Sequence, residues 1–89
     1  MIGWDETKRQ ANIAKHGIDF AMAADFQWDG AVVFEDTRFD YGEVRLVAIG
    51  QIGTKVFTMV FTEATAGLRI ISLRPAHRKE RAVHEKAQP

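Results

Sequence analysis

The chain has 89 residues, enough for one domain with a modest core, and its 46% hydrophobic and 27% charged content is that of a folded globular protein. It has no cysteine, which excludes disulfides and thiolate metal sites, and no apolar run near the roughly 20 residues of a membrane span. Formal net charge is zero, yet residues 1–44 carry four basic and nine acidic side chains, and residues 45–89 eight basic and three acidic. A polyanion would therefore meet the second half of the chain. The opening residues lack the basic and apolar regions of a secretory leader, so a cytoplasmic setting without membrane contact is expected.

Ile2 to Trp4 reads as a short first strand, and Asp5 as the N-cap of a helix over Glu6 to His16. Lys8 stands where a capping box needs Glu or Gln, so no box is expected. Ala11, Ile13 and Ala14 form a small apolar stripe, Asn12 is expected to face solvent, and Gly17 supplies a left-handed C-cap. Asp19 reads as the cap of a second helix with Phe20, Ala23 and Ala24 on its apolar face, ending at the turn Trp28-Asp29-Gly30.

Ala31 to Phe34 reads as a strand, Glu35 to Gly42 as a loop, and Val44 to Ile49 as the next strand. Thr54 to Thr62 is the longest strand. Phe57, Met59 and Phe61 share one face, with Val56, Thr58 and Val60 on the other, which predicts a central position. Leu68 to Leu73 follows after a short turn, and the last three strands are expected as an antiparallel meander. A last helix is predicted from Pro75 to Lys86, with proline in its first turn. The expected architecture is one α+β domain over residues 1–89. Two N-terminal helices and one C-terminal helix cover one face of a twisted antiparallel sheet.

Arg69 to Arg81 concentrates cations (Arg69, Arg74, His77, Arg78, Lys79 and Arg81) around one strand-to-helix corner, a pattern that suits phosphate. The three histidines lack metal-ligand spacing, no glycine-rich phosphate loop is present, and neither a metal nor another cofactor is expected. Glu43, Arg45, Glu63, Arg69 and Arg74 lie in or beside the meander. Metal-free RNA cleavage needs a base for the ribose 2′-OH, cations for the developing charge and an acid for the leaving oxygen, which such residues supply. The same residues equally suit cross-strand ion pairs. Strict alternation would send Arg69 and Arg74 to opposite faces, so they converge only if the strand bends or ends early.

An ordered set of residues resembles the BrnT family of bacterial toxins. It opens with Trp4-Asp5, Lys8, Asn12 and Lys15-His16-Gly17-Ile18 with Phe20. Glu35-Asp36, Arg38, Tyr41-Gly42-Glu43, Arg45, Ile49-Gly50 and Thr62-Glu63 follow. Arg69-Ile70-Ile71-Ser72, Arg74, Ala76 and Glu80-Arg81 complete the set. Glu6 departs from the proline that many relatives carry after Trp-Asp, but both suit a first helical turn. The resemblance runs from about residue 4 to residue 81. It implies a RelE-like ribonuclease fold and a type II toxin that cleaves RNA and inhibits translation and growth. The implied partner is a BrnA-type antitoxin with a ribbon-helix-helix part, through which alone the complex would touch operator DNA.

At matching positions the resemblance implies Arg69 and Arg74 for phosphate and transition-state contacts, Glu63 as a base or an orienter of an arginine, and Arg45 beside Glu43 in a similar role. Lys15, His16 and Arg38 are the implied RNA-binding residues at matching positions, and the basic strand-to-helix corner adds Arg78 and Lys79 as RNA-binding candidates. The alternative function is a non-catalytic basic module that binds a protein or nucleic acid.

Overall fold

The alternating segment around Phe57 becomes the middle of a five-stranded sheet. The computed structural model describes residues 1–89. Its elements are β1 (Ile2–Trp4), α1 (Glu6–His16), a 3-10 helix (Phe20–Asp25), β2 (Phe26–Glu35), β3 (Leu46–Ile52), β4 (Lys55–Ala64), β5 (Gly67–Pro75) and α2 (Arg78–Lys86). Strands lie in the order β1-β5-β4-β3-β2. The meander β2 to β5 is antiparallel, as its short connections require, while β1 joins β5 in parallel, making the sheet mixed. The class is α+β.

Phe57, Met59 and Phe61 on one face of β4 are buried with Ala48, Ile70 and Leu73 from the flanking strands. Phe20 and Ala23 of the 3-10 helix close over them, and Phe26 lies against Gly50, where a Cβ would sit 2.6 Å from its ring. The expected second helix is present with its Asp19 cap, as one short 3-10 helix. Phe26 is already sheet, and Trp28-Asp29-Gly30 forms no helix-ending turn but an irregular stretch of β2, where its register against β3 slips between Gln27 and Val32.

The helices also sit differently from expectation. Asp5 and Gly17 cap α1 as predicted, through Lys8 N–H to Asp5 Oδ1 (3.1 Å) and a glycine φ of 70°. Yet Ala11 and Ala14 are exposed and Asn12 is buried. Asn12 faces β5 rather than solvent: its amide donates to Leu73 O (2.7 Å) and its Oδ1 accepts from Leu73 N–H (3.3 Å). β1 ends beside Ile70, and this side chain then pairs with the free edge of β5 as a further strand residue would. The helix is fixed to a sheet edge by a hydrogen-bonded amide, not by an apolar stripe.

Pro75 ends β5 opposite Phe57 and is not in the last helix. His77 is the N-cap of α2, and Glu80 at N3 accepts the His77 backbone N–H at 2.7 Å. Glu80 shares a groove with Val47, Thr58 and Val60, so α2 packs on the face away from Phe20. Helical cover is therefore split between the two faces.

Candidate active site

The face that carries α2 is built by a bulge. Between the pairs Val60–Ser72 and Phe61–Ile70 the strand β5 has one extra residue, Ile71. One extra residue reverses every later side chain on a strand. Arg74 is paired with Thr58 and Arg69 with Thr62, and Thr58 and Thr62 share a face of β4. The two arginines that strict alternation separates thus lie on one face. Three rows cross it. Val32, Ile49, Thr58 and Arg74 form the first, against α2. Phe34, Val47, Val60 and Ser72 form the second. Thr62 and Arg69 continue into the third beside Asp36 and Arg45, which are linked by Asp36 N–H to Arg45 O at 2.8 Å.

Arg74 stands where two grooves meet. Its Nη1 donates to Glu80 Oε1 (2.7 Å) and its Nη2 to Glu80 Oε2 (2.9 Å), leaving Nε–H and one Nη2–H unpaired. Burial pushes the Glu80 carboxyl up, but the hydrogen bonds from Arg74 and from the His77 N–H outweigh it and hold the group down at about 2.

The first groove, about 570 Å³, runs between α1 and the β5–α2 corner. Lys8, Asn12, Lys15 and His16 recur at helical spacing on its α1 wall, and Ser72, Arg74 and His77 form the other. No carboxylate lines it. His16 is held below the ordinary histidine value of 6.5, by burial first and then by Lys15, Arg74 and His77. Both influences favour the neutral imidazole, the form that can accept a proton.

The second groove, about 420 Å³, crosses the sheet beside the 36–45 loop. Val47 and Val60 make its floor and Phe34 its outer end. Asp36 organises the loop. Its buried carboxylate accepts from the Arg38 backbone N–H, from Arg38 Nε and Nη2 (both 2.9 Å) and from the Tyr41 hydroxyl (3.0 Å). These bonds, Arg38 foremost, hold it well below the usual carboxylate range. Arg45 lies 4.0 Å over the Tyr41 ring and reaches Glu43 at 3.3 Å.

Of the residues singled out in the sequence, Lys15, His16 and Arg74 come together in the first groove, and Arg38 and Arg74 border the second. Arg45 and Arg69 lie farther along the same face. Glu63 pairs with Leu68 and points to the opposite face, exposed at the sheet end near Glu43. Arg78 and Lys79 are exposed on the first turn of α2. Of the basic stretch, Arg74, His77, Arg78, Lys79 and Arg81 lie at the β5–α2 junction, while Arg69 lies farther along the strand opposite Thr62. His77 is the exposed N-cap of α2, whereas His84 is buried.

Sequence reasoning missed Asn12 and Lys8 as groove residues and Glu80 as the partner of Arg74. The spacing of Lys8, Asn12 and Lys15 carried a signal for the first two. No three His, Asp or Glu side chains lie close enough together to hold a metal ion.

A family model described as "Ribonuclease toxin, BrnT, of type II toxin-antitoxin system" matches residues 4–80. None of the curated proteins compared with the chain matches it.

Proposed function

As the chain belongs to the BrnT family of ribonuclease toxins of type II toxin–antitoxin systems, we propose that it is a metal-independent endoribonuclease working in the groove between α1 and β5. The observation that carries this reading is the groove's lining of Lys8, Lys15, His16, Arg74 and His77 with no carboxylate among them. Such a lining attracts a phosphodiester and offers a divalent cation no anionic ligand.

In the proposed reaction His16 takes the proton of a ribose 2′-OH, and the 2′-oxygen attacks the adjacent phosphorus. Arg74 and Lys15 bind the non-bridging oxygens as charge builds. His77 protonates the departing 5′-oxygen, leaving a 2′,3′-cyclic phosphate and a 5′-hydroxyl. Arg38, Arg45 and Arg69 hold neighbouring phosphates along the sheet, with Arg78 and Lys79 at the rim. Glu63 faces away from this groove, so in this scheme it takes no proton.

Cleavage of cellular RNA would inhibit translation and growth in the cytoplasm. No helix is long and apolar enough to cross a membrane. The partner we propose is a BrnA-type ribbon-helix-helix antitoxin that lays an acidic segment over the Arg69–Arg81 surface, with operator DNA touched only through that complex.

The test is a cleavage assay with purified protein and a labelled RNA oligonucleotide in EDTA. Cyclic-phosphate ends and loss of cleavage in His16→Ala and Arg74→Ala are expected. RNA that binds without being cut would instead favour the non-catalytic module. Cleavage abolished by EDTA and restored by magnesium would overturn metal independence.

A further inference from the structure

The groove across the sheet is not needed to hold the scissile phosphate, and Phe34, Val47 and Val60 line it together with Glu35 and with Asp36 and Glu80, which are already paired with Arg38 and Arg74. Phe34, Val47, Val60 and Ser72 stand side by side on four successive strands, one row from Arg74 and one row from Arg69. Phe34 is 46% exposed although its neighbour Val47 is buried. A large aromatic ring open to water in a groove that Arg38 and Arg74 also line is an arrangement that single-stranded nucleic acid uses: cations follow the backbone and the ring accepts a base.

A further feature points the same way. Arg38 is 72% exposed, but its guanidinium is locked by two side-chain bonds to the buried Asp36, so a flat cationic surface is held at the groove wall. Arg74 belongs to both grooves, so a strand whose phosphate sits on Arg74 passes directly onto this row. Ser72 and Phe34 are three strand spacings apart, about 14 Å, which places Phe34 beyond the nucleotide bound at Arg74. With α2 on one side and the 36–45 loop on the other, a base reaches this floor only when it is out of a duplex.

We infer that the second groove is a nucleobase subsite in which an unpaired base next to the cleavage point stacks on Phe34, so that the protein selects single-stranded RNA by shape rather than by sequence. The inference rests on the ribonuclease reading in taking RNA as the occupant, but stacking and cleavage are separable by experiment.

The probe is a 2′-O-methyl RNA oligonucleotide, which lacks the attacking hydroxyl and so reports binding alone. Phe34→Ala is expected to weaken its binding about five- to a hundredfold at unchanged melting temperature, with Phe34→Tyr restoring most of it. An oligonucleotide with one abasic position at this subsite should lose a similar factor on the parent protein and nothing more on Phe34→Ala. The same sequence as a duplex should bind less tightly. Parental affinity in Phe34→Ala, equal binding of duplex and single strand, or no binding by the parent overturns the inference. So does a Phe34→Ala protein that keeps its RNA affinity but loses grip on the antitoxin, which would assign the face to a protein partner. A parent that binds with all these dependences but fails to cut the unmodified strand removes the catalytic proposal and leaves the stacking subsite standing.

Discussion

Arg74 and Glu80 meet through two parallel hydrogen bonds of 2.7 and 2.9 Å that tie the end of β5 to the first turn of α2. The two side chains are 23% and 22% exposed, so water replaces neither partner cheaply. Arg74 therefore braces α2 and also presents its remaining N–H groups to the grooves. Arg74→Ala and Glu80→Ala should each lower stability by about 1–3 kcal/mol. Only Arg74→Ala should also lose about 10²–10³ in cleavage rate, and Arg74→Lys should recover part of it, since it keeps the charge but not the fork. Melting temperature and single-turnover cleavage on the same proteins decide this. An equal rate loss in folded Glu80→Ala would leave Arg74 with the bracing role alone.

Acid should unfold the protein partly through two carboxylates. Glu80 is lowered from 4.5 to about 2 and Asp19, bound by Arg9 and then by the Ala21 N–H, from 3.8 to about 2. Folded values lie below unfolded ones, so this stability is present above about pH 4.5 and is lost as pH falls towards 2. Glu80→Gln should flatten that part of the stability curve. Denaturant titrations at pH 7, 4 and 3 would refute the assignment if parent and variant lost stability in parallel.

His16 should set the acidic limb of the cleavage profile. Burial and then Lys15, Arg74 and His77 lower it from 6.5, so the limb is expected below the ordinary histidine range. Removing a cationic neighbour favours the protonated ring. Lys15→Ala should therefore move the limb to higher pH, together with the His16 ring signal in an NMR titration. A limb indifferent to Lys15 would show that another group is titrating.

Asn12 should matter to geometry and stability together. Asn12→Ala leaves the Leu73 N–H and carbonyl at the β5 edge without this partner, for a loss of about 1–3 kcal/mol. It also frees the α1 wall that carries Lys15 and His16 from the β5 wall that carries Arg74. Amide exchange at Leu73 should accelerate in Asn12→Ala, and unchanged protection there would show that another group takes over the edge.

Phe57 tests the core face. It is 5% exposed and packs with Phe20 and Phe26 under the 3-10 helix. Phe57→Ala should cost about 3–5 kcal/mol. A thermal melt that does not move would place the core on the other face of β4.

What the sequence determined by itself was local. Alternation around Phe57 specified a central strand with its apolar face inward, and Asp5 and Gly17 bounded α1, because side-chain period and capping act within a few residues. The ordered residues from Trp4 to Arg81 carried the family, which the match over residues 4–80 bears out. Tertiary structure decided the site. Asn12 reads as a solvent-facing helix residue until Leu73, 61 positions away, offers it an unpaired strand edge. Arg69 and Arg74 share a face because one extra residue at Ile71 reverses the pleat, and a bulge leaves no mark in residue spacing. Glu80 reads only as one acidic residue of the predicted last helix, and the packing of α2 across the sheet makes it both a cap and the partner of Arg74. Each of these depends on groups far apart in the chain satisfying one another's charges and hydrogen bonds, and periodicity carries no information about such pairs.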